Sequence, residues 1–322
     1  MTHHTSIGLA LIVKNEERNI EACINSCKGV DEVAVVDTGS SDKTVEIARS
    51  LGATVDVETF RWPDPPDYTG IDFSAARNRS VDMLNTEWFL FLDADERLDK
   101  GHIWNIRRRI TELRDPFKAL LVTMYTEKGD TFWRDKVMKK CPETRFVGRV
   151  HEATADEVLY ADLAKDIRIH YQTHPHSPRN YAILREECAA DPNSMRLQYL
   201  MGREEFCWGN VPSSIYWFER WAWTYERSGK YHPMRAADAY FTLGYAYARM
   251  AEYARARTNA GKALIVNPDF KEAAQLLADL AGFEGNGMAQ ERWLGFAGSA
   301  ENRGLGIISK CFQQECSPEV QP

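Results

Sequence analysis

Trp88-Phe89-Leu90-Phe91-Leu92 runs directly into Asp93-Ala94-Asp95-Glu96. Five apolar residues in a row leave no polar face at a period of two, so they read as a strand buried on both sides. Such a strand needs helices covering both faces of its sheet. The flanking sequence supplies them. Toward the N-terminus, residues 9–13 form a short apolar run, and Ile20, Cys23, Ile24 and Cys27 then repeat at helical spacing. Residues 33–36 read as a second strand. Val45, Ile47, Ala48 and Leu51 mark the next helix, with Ser40 or Ser41 expected as its cap and Gly52 as its stop. Residues 53–57 read as a third strand, 60–72 as a Pro- and Asp-rich loop, and 73–84 as a helix packed through Phe73, Ala76, Val81 and Leu84. Beyond the acidic run, a helix at 102–114 and a strand at 118–125 continue the alternation. The expected class is α/β with a mostly parallel sheet, in which ligands bind at the carboxyl ends of the strands.

Residues 126–175 lose the alternation and read as strands and loops that finish a site. From 178 the pattern is helical. Tyr240, Leu243, Gly244, Tyr247, Ala256, Ala260, Ala263 and Pro268 fall on the spacing of a tetratricopeptide repeat, with Tyr for Trp and Ala260 for Phe. Met201, Gly202, Phe218 and Trp221 suggest a degenerate earlier repeat. The expected organisation is an α/β domain over 1–177, a helical repeat domain over 178–285, and a weakly patterned tail over 286–322 that is expected to be partly disordered. The net charge of −7 gives no global attraction for nucleic acid or anionic membrane. The apolar run at 7–13 is too short for a signal peptide and lacks a basic flank, and no stretch nears the ~20 apolar residues of a span. The cytoplasm is therefore expected, and with no paired C-x-x-C spacing the seven Cys read as thiols.

The acids after the central strand carry the chemistry. If the chain stays extended past Leu92, Asp93 and Asp95 point to one side. Two carboxylates so placed repel, and a divalent cation shared with substrate phosphates relieves the repulsion, which points to Mg²⁺ or Mn²⁺. The plain alternative is an acidic approach to the helix at 102. Asp37-Thr38-Gly39-Ser40-Ser41-Asp42 follows the second strand. Asp37 can accept from a base or ribose, and the Gly39 turn can present N–H groups to an anion. Val13-Lys14-Asn15-Glu16 follows the first strand, where Asn15 is a plausible cap and the backbone can line a nucleoside. Arg77, in Phe73-Ser74-Ala75-Ala76-Arg77-Asn78, lies at the edge of a packed face. It can reach a base or diphosphate, or sit in a surface ion pair.

Leu11-Ile12-Val13-Lys14-Asn15-Glu16-Glu17, Val35-Val36-Asp37-Thr38-Gly39-Ser40, Phe73-Ser74-Ala75-Ala76-Arg77-Asn78 and Leu92-Asp93-Ala94-Asp95-Glu96 occur in that order. In these four motifs the chain resembles a family 2 glycosyltransferase of the GT-A fold. It is similar to bacterial members that carry tetratricopeptide repeats, including those that glycosylate peptides at Cys or Ser. The resemblance implies a nucleotide-sugar donor, with UDP as the expected nucleotide. Val13, Asn15, Glu16, Asp37, Gly39, Arg77, Asp93 and Ala94 would line its site. It also implies a metal ion on Asp93 and Asp95, with a later His as a further ligand. His170 sits where that His would fall, and His151 is its rival. Arg145-Phe146-Val147-Gly148-Arg149-Val150-His151-Glu152 resembles the stretch that ends in His-Glu in these enzymes, which makes Glu152 the candidate base. The commonest base motif, Glu-Asp, is absent.

The residues alone keep alternatives open. Glu152 can instead pair with Arg145 or Arg149, and His170 can be a core histidine. His174 and His176 flank Pro175 and read as a linker. Arg107-Arg108-Arg109 reads as a solvated helix face. Phe206, Trp208, Tyr216, Trp217, Trp221 and Trp223 read as core packing, with stacking on sugars or bases as the alternative. Nucleotidyl transfer would share the sheet and the carboxylates but calls for a Gly-rich loop after the first strand, and Val13-Lys14-Asn15-Glu16 has no glycine. A repeat scaffold with a decayed first domain would not keep Asp37, Arg77, Asp93 and Asp95. The repeats favour a peptide or protein acceptor, and modified DNA or a surface glycan stays open.

Overall fold

The computed structural model describes residues 5–129, 131–154, 161–172, 177–229 and 233–299. The chain divides into two compact units, 1–175 and 176–322.

The first unit is built on an eight-stranded sheet in the order β3-β2-β1-β4-β7-β6-β10-β5. Its strands are β1 (Ile7–Val13), β2 (Glu32–Asp37), β3 (Thr54–Asp56), β4 (Trp88–Leu92), β5 (Arg97–Leu98), β6 (Ala119–Tyr125), β7 (Thr131–Lys139) and β10 (Ala161–His170). The short strands β8 (Phe146–Val147) and β9 (Ala153–Thr154) pair separately. From β3 to β4 every pairing is parallel. In the second half β7 runs antiparallel to β4 and β6, β10 is parallel to β6, and β5 is antiparallel to β10. The helices are α1 (Ile20–Ser26), α2 (Thr44–Ser50), α3 (Phe73–Asp82) and α4 (His102–Glu112).

Strand β4 is buried on both faces, as its sequence requires. Trp88, Leu90 and Leu92 join one core with Ile20 and Cys23 of α1 and Ile103 and Ile106 of α4. Phe89 and Phe91 join the other, with Val81 of α3 and Phe146 of β8. The chain does not stay extended beyond Leu92. It turns at once, and the Glu96 N–H donates to the Asp93 carbonyl at 2.9 Å. Asp93 and Asp95 are therefore carried by a turn and not by a strand, so a period of two does not set their directions.

Two local readings are also corrected. Neither Ser40 nor Ser41 caps α2, whose N-cap is Lys43. The Ser40 hydroxyl instead accepts the Asn15 N–H at 2.8 Å, and Asn15 Oδ1 accepts the Ser41 N–H at 2.8 Å. Asn15, at φ 57°, is thus a clasp between two loops and not a helix cap. Two of the three arginines of α4 are latched, while Arg108 is solvated as expected. Arg107 meets the Gly29 carbonyl and Asp31, and Arg109 meets Asp162 and Asp166.

The second unit is all helical: α5 (Pro178–Ala190), α6 (Met195–Cys207), α7 (Val211–Ser228), α8 (Pro233–Arg249), α9 (Tyr253–Val266), α10 (Lys271–Phe283) and α11 (Gly287–Ser299). The repeat residues Tyr240, Leu243, Tyr247, Ala256, Ala260 and Ala263 are buried. A Cβ on Gly244 would lie 3.0 Å from the Ala256 carbonyl and the Ala260 nitrogen, so glycine lets α8 and α9 touch. Residues 287–299 form α11 where a weakly patterned tail is expected from sequence. The rest of that tail, 300–322, and His174 and His176 lie outside the described residues. Of the aromatic group, Phe206 and Trp221 are buried, but Trp208, Tyr216 and Trp223 are exposed. Cys23, Cys27, Cys141, Cys188 and Cys207 form no disulfide. Among the described residues no helix is long and apolar enough to cross a membrane.

Candidate active site

Strands β1, β2 and β4 end side by side, and their following loops form the crevice. The β1–α1 and β2–α2 loops are stitched through the Asn15 clasp and through the Glu16 N–H, which donates to Thr44 Oγ1 at 2.7 Å. Val13 and Asp37 are register partners at the end of the pair. Asp37 is buried. Its Oδ2 accepts the N–H groups of Gly39 and Ser40 at 3.0 and 2.9 Å, while its Oδ1 is buried with no partner. The turn depends on Gly39 adopting φ 109°, which a side chain would oppose. Its N–H groups are committed to Asp37, so the expected anion-binding turn is an internal hydrogen bond instead.

Arg77 is not at an edge. It is buried on α3 and tied to both acidic motifs. Its Nε donates to Glu152 Oε1 at 2.8 Å, and its Nη2 approaches Glu152 Oε1 at 2.6 Å and Asp93 Oδ1 at 3.1 Å. Its Nη1 is buried and unpartnered. The guanidinium lies 4.8 Å from the Phe91 ring centre. Glu152 therefore pairs with neither Arg145, which holds Asp82, nor Arg149, whose Nε meets the Ile71 carbonyl. Burial pushes the Glu152 carboxyl up, but Arg77 outweighs that and holds it below the usual carboxylate range. For Asp93, local desolvation is likewise overcome by Arg77 and Lys136, which keep it well below that range.

Sequence reasoning missed three residues here. Glu96, next in line after Asp95, accepts the Asp93 N–H at 3.0 Å and so fixes the acidic turn. Its buried partner is Lys136 of β7, at 2.5 Å, whose ammonium also lies 4.7 Å from the Phe91 ring centre. Burial raises the Glu96 carboxyl against the opposing pull of Lys136. The only sequence signal was the fourth position of Asp93-Ala94-Asp95-Glu96, since Lys136 lies in an ordinary mixed strand. The third is Trp62. Its backbone N–H donates to the Thr38 carbonyl at 2.9 Å, and its carbonyl accepts from Lys14 Nζ at 2.7 Å. Its indole Nε1 is buried and unpartnered.

Among the described residues, no three His, Cys, Asp or Glu side chains form a group that could hold a metal ion. His170 ends β10 as the register partner of Arg97 of β5, which is close in sequence to Asp95, with its ring 5.3 Å from that of Tyr125. His151 stands at φ 49°, one residue before Glu152.

A crevice at parallel strand ends, with a buried acceptor, buried donors and an acidic turn, is the architecture of a nucleotide-binding α/β enzyme. Residues 9–157 match the family described as Glycosyl transferase family 2. A TPR repeat-containing protein of Synechococcus elongatus is 35% identical over 162 residues, which is 48% of this chain and 36% of that protein. The SPbeta prophage-derived glycosyltransferase SunS of Bacillus subtilis (strain 168) is 25% identical over 213 residues, 62% of this chain and 49% of that protein. The chain thus spans half or less of these curated relatives. Among solved structures, S. aureus TarS 1-349 in complex with UDP-GlcNAc aligns with 79% of this chain and 90% of that chain, at 16% identity and a TM-score of 0.48.

Proposed function

We propose that the protein is a metal-assisted, inverting glycosyltransferase that moves a sugar from a UDP-sugar to a peptide or protein. The observation that carries this reading is a buried unpaired acceptor on Asp37, at the end of β2, together with a buried unpaired donor on Arg77, which holds Asp93 after β4. Unmet polar atoms are costly inside a protein, so a site that keeps them fits a polar ligand. Asp93 and Asp95, with His170 as the further ligand, are the residues that would hold Mg²⁺ or Mn²⁺. Two carboxylates plus diphosphate oxygens suffice for such an ion. When bound, the ion would neutralise charge on the departing diphosphate.

The chain's own groups supply the rest. Arg77 links Asp93 to Glu152 and so fixes the distance between the donor end of the site and the candidate base. Glu152, kept ionised by Arg77, is the carboxylate that takes the acceptor proton. The same pairing makes it a weak base, which suits an acceptor that ionises readily, such as a thiol, better than a hydroxyl. The helical repeats support a peptide or protein as the acceptor.

The test is sugar release from a panel of nucleotide-sugars with Mn²⁺, Mg²⁺ or chelator, followed by mass spectrometry of peptides offered as acceptors. UDP-sugar turnover that chelator abolishes is expected, and it should vanish in Asp95→Asn. Turnover of no nucleotide-sugar under any of these conditions would defeat the reading.

A further inference from the structure

We propose that Lys136 and Glu96 are positioning residues that set the Asp93 turn for a divalent ion before the ion arrives. The inference rests on the metal reading above and adds to it the groups that hold the first ligand in place.

Lys136 stands where strand β7 breaks step. Leu120 of β6 pairs with Val137 and Leu121 pairs with Asp135, so Lys136 has no partner across that ladder. The pairing of β7 with β4 also ends at Val137. A bulge of this kind re-aims a side chain. Here the side chain is a buried lysine whose ammonium lies over the Phe91 ring. That ammonium and the Asp93 N–H both reach one atom, Glu96 Oε2, at 2.5 and 3.0 Å. The cation thus fixes the oxygen that receives the N–H of the turn.

The turn is closed from its other side as well. The Asp93 carbonyl accepts the Glu96 N–H at 2.9 Å, and the Ala94 carbonyl accepts from Arg97 Nη1 at 2.6 Å. The main chain at Asp93 is therefore committed at both its N–H and its carbonyl, while the Asp93 side chain is 51% exposed. A fixed main chain carrying an open carboxylate suits a metal ligand, because a ligand that is already ordered costs less to bind.

Stability is a weak reason for such a pair. Taking two ions out of water offsets most of their attraction, and an apolar pair of similar size often holds a fold as well or better. An apolar pair cannot, however, accept the Asp93 N–H. That bond is what the lysine and the glutamate add, and it bears on a residue that would hold the ion.

The experiment is calorimetry of UDP on the full chain, with Mn²⁺ and with chelator, beside a thermal melt of each variant. Glu96→Gln with Lys136→Met removes both charges and keeps an oxygen for the Asp93 N–H. Lys136→Met with Glu96→Met, and again with Glu96→Leu, removes the oxygen too. Two apolar pairs are used so that one poor fit does not decide the matter. The gain in UDP affinity that Mn²⁺ brings should stay within about three-fold of the parent's in the Gln variant and fall by about 10–100-fold in the apolar ones, the usual weight of a group that orients a metal ligand. With chelator every variant should bind UDP as the parent does, because the turn serves the ion. A parental Mn²⁺ gain in the apolar variants overturns the inference and leaves the metal reading standing. Equal losses with and without Mn²⁺ overturn it too, since they mark general damage. So does a Gln variant that loses as much as the apolar ones, because charge and not the bond to Asp93 would then be in control. Failure of both apolar pairs to fold beside a folded Gln variant makes the bond structural and overturns it as well. A parent whose UDP affinity does not respond to Mn²⁺ defeats the metal reading itself, and this inference with it.

Discussion

Two polar sites lie within the same crevice and are built in opposite ways. Asp37 is held by its own neighbourhood: both bonds to Oδ2 come from backbone N–H groups two and three residues on. Arg77, Asp93, Glu96, Lys136 and Glu152 are held by one another across long stretches of chain, from residue 77 to residue 152. A carboxylate bonded to its own turn is right as soon as the turn forms. A cluster of charges is right only when every member has arrived, because Arg77, Glu96, Lys136 and Glu152 are shielded from water and each depends on a partner of opposite sign. The first arrangement should tolerate substitution. The second should not.

The largest effect expected is therefore at Lys136, which is 2% exposed. Lys136→Met leaves Glu96 buried without its cation and should lower stability by about 3–5 kcal/mol in urea titration. The pair variant Glu96→Gln with Lys136→Met should recover most of that loss, since neither charge is then stranded. A loss below about 1 kcal/mol for the single change would mean that the cluster is not cooperative.

Acid should separate the sites next. The folded Glu152 and Asp93 carboxyls lie below their usual range. Their contribution to stability is present above the unfolded values, ~4.3 and ~3.9, and is lost as pH falls below them. Glu96 is shifted the other way, so its contribution is present below ~4.3 and is lost as pH rises through its raised folded value. Removing a depressed group should flatten the acid limb. Between about pH 6 and about pH 3, Glu152→Gln should lose less urea resistance than the parent. An unchanged slope would show that Arg77 does not depress Glu152. Asp37→Asn, by contrast, keeps an oxygen for the Gly39 and Ser40 N–H groups, and its stability should stay within about 1 kcal/mol of the parent.

The same contrast decides what could be read from the sequence. β1, β2, β4, α3 and the repeat pair α8–α9 declare themselves through local periodicity, and Asp37 and Asp93 are legible because a strand delivers each of them. Lys136 and Trp62 are not, since nothing within a few residues of either marks it as facing the crevice. Arg77 was seen but placed at an edge, because its burial depends on Asp93 and Glu152 arriving from other motifs. His170 was assigned by its position in the chain. The antiparallel pairing of β10 with β5 puts it beside Arg97, which no periodicity could foretell. The turn at Asp93 is not legible, because an apolar run says where a strand is buried and not where it stops.

The smallest expected effect tests whether burial, and not charge pairing as such, makes the cluster fragile. Arg145 and Asp82 form a two-point pair at 2.5 and 3.1 Å, better formed on distance alone than Arg77 with Asp93. Their side chains are 41% and 45% exposed, against 6% and 13% for Arg77 and Glu152. Water already solvates both partners, so removing one leaves the other with somewhere to turn. Arg145→Ala should cost no more than about 0.2–1 kcal/mol, and the difference from the parent should shrink in about 1 M salt. Arg145 follows the 3₁₀ turn at Pro142–Thr144 and precedes Phe146, whose ring packs on Phe91 at 5.0 Å. If the pair also steers that segment into place, the loss would persist at high salt and would appear as slower sugar release, because Phe146 leads the chain toward Glu152. A salt-insensitive loss comparable to that of Lys136→Met would remove the distinction between the two kinds of pair and put geometry, not desolvation, in control of both.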